Sequence, residues 1–199
     1  MKRSAAEAQR EHRILGVDPS LTSTGYAYRH NGALVTGVID TGKLTGSHRL
    51  FYIRMQLARI VDFLNPTLVV MEDYAMGAGG RNNNNVFKIG ELGGALKLYL
   101  WENGFDVLMV APTAMKSVIA YNGRAEKKDI VRALATLFDI NVTQHDEADA
   151  AGLMVVGEMK LGLREATKEV KSTAKSNRFN SIAETQVLRG KLKLISKAL

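Results

Sequence analysis

The sequence has no cysteine in 199 residues, no apolar run near the roughly 20 residues of a membrane span, and no internal repeat. The first absence excludes disulfides, thiolate metal sites and cysteine nucleophiles together, so any bound metal must be held by oxygen or imidazole. The second, with 46% hydrophobic and 24% charged residues, is the composition of a soluble globular protein. The N-terminal stretch MKRSAAEAQREHR carries two glutamates and lacks the apolar core of a secretory signal, so residues 1–12 read as a short charged arm on a protein that stays inside the cell. The length allows one main domain, which at this size buries roughly 70% of its unfolded surface.

Charge is present in excess of one sign but unevenly. The net charge is +7, and the stretch from Arg164 to Leu199 holds nine Lys/Arg against three Glu, a balance of +6. A basic tail points to a polyanion such as nucleic acid, or else to a solubilising arm.

The order of elements is legible from periodicity. RILGVD (13–18), GYAYRH (25–30) and GALVTGVID (32–40) read as three strands joined by hairpins. Residues 47–64 place Leu50, Ile53, Leu57, Ile60 and Leu64 at helical spacing, with Ser47 as the expected cap and Pro66 as the stop. TLVVME (67–72) is a buried-type strand, GAGGRNNNN (77–85) a mobile Gly/Asn loop, and a helix over about 86–102 precedes the strand FDVLMV (105–110). Pro112 opens a short helix, and two more span 126–138 and 146–160. Three antiparallel strands followed by strand-helix units predict an α/β fold, a mixed sheet with helices on its faces.

Acids stand at three element ends. Asp18 closes the first strand, Glu72 closes the fourth, and Asp146 and Asp149 in HDEADA open the last helix at a spacing that projects both to one side. Strand ends are where open α/β sheets place their sites. Packing carboxylates closely is unfavourable unless cations sit between them, and a set of oxygens suits Mg²⁺ or Mn²⁺. Two such ions, roughly 3.5–4 Å apart, would activate a water and stabilise the leaving oxygen of a phosphodiester. Each acid also has an ordinary reading: Asp146 as a helix N-cap with Glu147 and Asp149 favoured by the macrodipole, Asp18 as a turn former before Pro19, Glu72 as a solvated strand end. Asp73 and Glu147 are expected to point away from the cluster, and His145 is a ligand, a general acid/base or an exposed loop residue.

Five segments, GVDPSLTSTGYA (16–27), VVMEDY (69–74), FKIGELGGAL (87–96), MKSVIAYNGRAEKKDIV (115–131) and DEADAAGL (146–153), resemble in order the RuvC family of Holliday junction resolvases. The resemblance covers about residues 13–160. It implies an RNase H-like fold, a homodimer, and Mg²⁺-dependent paired nicking of four-way DNA junctions, in a bacterial cytoplasm or a phage-infected host. By position, Asp18, Glu72, Asp146 and Asp149 look like the family's four metal ligands, holding two ions. Lys116 and Lys127 fall where the family keeps two lysines near the scissile phosphate. Arg124 and Lys128 are implied phosphate contacts, with Arg81 a further DNA-binding candidate in the Gly/Asn loop and Tyr74 standing in for the family's displaced stacking aromatic. Ser20 and Glu91 depart from the family's usual Gly and Gln.

Other readings compete. The actin-like kinases share a first strand ending in Asp but need a duplicated domain, for which 199 residues are too few. A broader branched-DNA debranching nuclease and a junction-binding module without catalysis also fit the charge pattern. The expected organisation is an arm (1–12), a nuclease domain (13–162) and a basic extension (163–199). The extension's Leu188, Leu192 and Ile195 would line one helical face, and Gly90, Gly93, Gly94, Leu92, Leu96 and Leu100 would form a homodimer interface.

Overall fold

The computed structural model describes residues 12–73 and 83–164. Tyr74, Arg81, the arm up to residue 11 and the extension beyond Arg164 lie outside them.

Alternating apolar residues build the N-terminal meander. β1 (Ile14–Asp18), β2 (Ser23–His30) and β3 (Ala33–Asp40) pair antiparallel, with Leu15 opposite Tyr28 and Asp18 opposite Gly25. Asn31 and Gly32, both at positive φ, make the two-residue turn that twists β2 back into β3. The β1–β2 turn is closed by Ser20 and Thr24: the Thr24 hydroxyl donates to the Ser20 carbonyl at 2.7 Å, and the Ser20 amide donates to Thr24 Oγ1 at 3.1 Å.

α1 (Gly46–Leu64) follows, then β4 (Leu68–Glu72), α2 (Asn83–Glu102), β5 (Val107–Val110), α3 (Pro112–Ala120), α4 (Lys127–Phe138) and α5 (His145–Lys160). The sheet order is β3-β2-β1-β4-β5, with β1, β4 and β5 parallel. Several boundaries differ from the sequence reading. α1 is capped at Thr45 without a side-chain hydrogen bond, so Ser47 is a helical residue, and the helix ends before Pro66 at Asn65 in the left-handed conformation. α2 begins at Asn83, three residues into what reads as loop. At α4, Glu126 and Asp129 form a reciprocal capping box.

The strand period of two divides the core. Ile14, Ala27, Leu68, Val70, Leu108 and Val110 face α3, α4 and α5, while Leu15, Val17, Tyr28, Val69 and Met71 face α1 and α2. Helices thus cover both faces, as the order of elements predicts. α5 is buried without interruption from Ala148 to Glu158, which its run of Ala and Gly permits. Its far end is tied down by Glu158, buried between Arg29 at 2.7 Å and Arg164 at 2.9 Å.

α2 does not present the leucines expected at a dimer interface. Leu92, Leu96 and Leu100 are wholly buried in the chain's own core, and Gly93 is buried with them. The outward stripe is Phe87, Glu91, Gly94, Leu98 and Trp101, with Val86 and Gly90 beside it; Phe87 is 71% exposed. The spacing of apolar residues in the sequence marks two faces of this helix, and only the sheet decides which one is covered.

Candidate nuclease site

β1 and β4 run parallel with Val17 opposite Met71, so the next residue on each, Asp18 and Glu72, emerges side by side at the same sheet edge. Both lie on the α5 side of the sheet. α5 reaches them because two strand residues have no side chain: a Cβ on Gly16 would stand 2.1 Å from the Ala150 carbonyl oxygen, and one on Gly25 would stand 2.1 Å from that of Asp146. Backbone rests on backbone, and the first turns of α5 deliver Asp146 and Asp149 to the strand ends.

The four acids act on one another electrostatically. Burial, followed by the charges of Glu72, Asp149 and Asp146, holds the Asp18 carboxyl well above its usual range, with Lys127 opposing. Glu72 is pushed up to about 7, first by burial and then by Asp149, against Lys116 and Lys127. Asp149 is raised chiefly by burial, with Lys127 and Lys116 pulling the other way. The helix cap is Gln144, so Asp146 does not spend its carboxylate on capping. Instead it accepts a hydrogen bond from Lys127 Nζ at 3.3 Å, and the same ammonium stands 3.8 Å from Asp149 Oδ2. For Lys127 burial works downward, but the hydrogen bond to Asp146 and the surrounding carboxylates raise its pKa overall.

These residues fit divalent cations in chemistry. Asp149 Oδ1 is buried with no hydrogen-bond partner, a costly arrangement that a cation would relieve. Among the described residues no three His, Asp or Glu side chains are drawn around a single point as they stand. The donors are all oxygens, the set that hard cations take.

The remaining candidates divide. Lys116 on α3 and Lys127 on α4 both act on Glu72 and Asp149. Arg124 and Lys128 are exposed at the same end, Lys128 being paired with Glu126 at 2.7 Å. His145 is the exposed first residue of α5, close enough to lower the Asp149 pKa. Glu147 turns away from the acids and accepts a hydrogen bond from Thr36. Gly16 and Gly25 stand inside motifs that the sequence makes visible, but their role as seats for α5 required the packing.

A five-stranded mixed sheet of this order, covered by helices on both faces, is an RNase H-like α/β fold. Residues 14–157 match the family model described as crossover junction endodeoxyribonuclease RuvC, and the chain belongs to the RuvC family. Relatives include RuvC of Dictyoglomus turgidum, 30% identical over 71% of this chain and 93% of that protein. RuvC of Chlorobium phaeobacteroides is 25% identical over 83% and 91%. The structure of Thermus thermophilus RuvC in complex with a Holliday junction superposes with a TM-score of 0.63 at 21% identity, covering 75% of this chain and 97% of that one, which supports the fold. Nucleases of this family are metal-dependent. No helix among the described residues is long and apolar enough to cross a membrane.

Proposed function

We propose that this protein resolves four-way (Holliday) DNA junctions by paired nicking of phosphodiester bonds, as a homodimer with one site per subunit. Asp18, Glu72, Asp146 and Asp149 hold two divalent ions, Mg²⁺ by preference with Mn²⁺ as a substitute. The observation that carries this reading is the convergence of four acids from three chain segments, one of them with a buried oxygen that has no partner.

The chemistry follows from the charges. Asp18, Glu72, Asp146 and Asp149 would hold the cations, whose chemistry when bound is to activate a water and stabilise the leaving oxygen of a phosphodiester displaced in line. Lys127, already hydrogen-bonded to Asp146, and Lys116 stand where a phosphate's negative charge can be met beside the carboxylates. Arg124 and Lys128, exposed on the loop and first turn before the site, contact backbone phosphates, which positions DNA without reading its sequence. Tyr74 and Arg81, outside the described residues, are further DNA-contact candidates from the sequence alone. Two-fold symmetry matches the two strands that must be cut, and the exposed stripe Phe87, Leu98 and Trp101 on α2 offers a self-complementary apolar surface.

The test is the full-length protein with Mg²⁺ on a synthetic four-way junction beside linear duplex, flap and Y-form DNA. Symmetric nicks confined to the junction are expected. Asp18→Asn and Asp149→Asn should abolish cutting while binding stays near normal or tightens, because less negative charge faces the phosphates. Comparable cutting of flaps and Y-forms would replace this reading with that of a general debranching nuclease, and a folded Asp149→Asn protein that nicks at the wild-type rate would remove the carboxylates from the mechanism.

A further inference from the structure

Asp146 lies in the first turn of α5 and Asp149 in the turn that follows. Helix ends lack part of their hydrogen bonding and fray, and here Asp146 and Asp149 share a site with Asp18 and Glu72, groups of like charge that disfavour one another's ionised forms. The backbone seat on Gly25 sets how closely the turn can approach the sheet, but a contact of that kind does not prevent it from rolling or lifting.

Lys127 on α4 reaches Asp146 at 3.3 Å, and a second polar bond ties the turn to β3. Thr36 Oγ1 on β3 donates to Glu147 Oε2 at 2.9 Å, joining residues 111 apart in sequence. Thr36 lies opposite Ala27, two residues along from the pair Val38–Gly25, and therefore on the face that carries Gly25 and Asp18. Glu147 follows Asp146 by one residue, about 100° around the helix. Anchoring its side chain to β3 holds the turn from the flank opposite the acids. Neither side chain belongs to the carboxylate cluster, and both are half-buried, where water competes less for the hydrogen bond.

We propose that Thr36 and Glu147 are positioning residues for the metal site, a clamp that fixes the height and rotation of the first turn of α5 so that Asp146 and Asp149 meet the cations. The inference rests on the reading of the four acids as metal ligands. Partners bonded to metal ligands themselves typically contribute about 10–100-fold in metal affinity, and a clamp acting one residue away belongs at the low end of that range.

Thr36→Val removes the donor at nearly constant shape, and Thr36→Ser restores it. Glu147→Ala removes the acceptor, and Glu147→Gln keeps an acceptor oxygen without the charge. Calorimetric titration of the metal-free, full-length proteins with Mn²⁺ is the readout, with melting in EDTA alongside. Thr36→Val and Glu147→Ala should each weaken Mn²⁺ binding by about 10-fold, with Thr36→Ser and Glu147→Gln close to wild type. A lowered melting midpoint with Mn²⁺ affinity within twofold of wild type would make the bond a stabilising contact only and overturn the proposal. So would a Glu147→Gln protein as weak as Glu147→Ala, since charge rather than the hydrogen bond would then be responsible. Wild-type protein that takes up no Mn²⁺, or an Asp18→Asn protein that binds it as wild type does, would instead remove the metal reading beneath the clamp.

Discussion

Gly25 faces Asp146 backbone to backbone: a Cβ on Gly25 would stand 2.1 Å from the Asp146 carbonyl oxygen. Gly25 is also the cross-strand partner of Asp18. One glycine therefore sets how closely an acid on the first strand and an acid on the last helix can approach.

Gly25→Ala should lift the start of α5 and separate these acids. The obstructing atom is backbone, so the added methyl group cannot be absorbed by a rotamer change, and a destabilisation of about 1–3 kcal/mol is expected. Nicking should fall at least tenfold while junction binding, which depends on phosphate contacts, changes little. Junction cleavage rates beside gel-shift affinities separate the two. A variant with wild-type nicking would show that the helix can shift without cost to the site.

The raised acids make metal-free stability depend on pH. Glu72 goes from its ordinary 4.5 to about 7 in the folded chain, and Asp18 and Asp149 move in the same direction. Between those two values the folded state binds more protons than the unfolded one, so the Glu72 contribution to stability falls as pH rises through that window. Melting in EDTA should show Glu72→Gln gaining on wild type from pH 5 to pH 8. Mn²⁺, which binds the ionised carboxylates, should raise the wild-type midpoint more at pH 8 than at pH 5. An equal gain at both pH values would contradict the shared burial of these acids.

Leu98→Glu or Trp101→Glu should give a monomer. Both residues are more than half exposed on the outer stripe of α2, where a charge costs the folded monomer little but would be buried in a symmetric interface. Light scattering at micromolar concentration reads the outcome, with paired nicks expected to become single, uncoupled ones. A dimer that survives both substitutions would place the interface elsewhere.

Removal of residues 165–199 takes away eight of the nine Lys/Arg counted from Arg164 onward. If the extension contacts DNA, affinity for all DNAs should drop together, and the slope of log affinity against log salt should flatten by about 0.9 per lost phosphate contact on duplex arms. An unchanged slope would leave the extension a solubilising arm, and failure to fold would assign it to the core.

Much of this protein was settled by local chemistry. The Asn-Gly turn, the alternation in β1 to β3 and the acids at strand ends follow from φ preferences and a period of two, which act within a few residues. The α/β order and the four acids were legible for the same reason. Where α2 begins and which of its faces is covered were not, because both depend on the sheet against which Leu92, Leu96 and Leu100 pack. The same holds for Asp146. Its sequence position suits an N-cap, yet Gln144 takes that place, and Asp146 is left to the cluster by how α5 sits on Gly16 and Gly25. The Thr36–Glu147 bond spans 111 residues and leaves no local trace. Short-range sterics and periodicity belong to the chain itself; the distance between groups far apart in sequence is decided only when helix and sheet close together and exclude water.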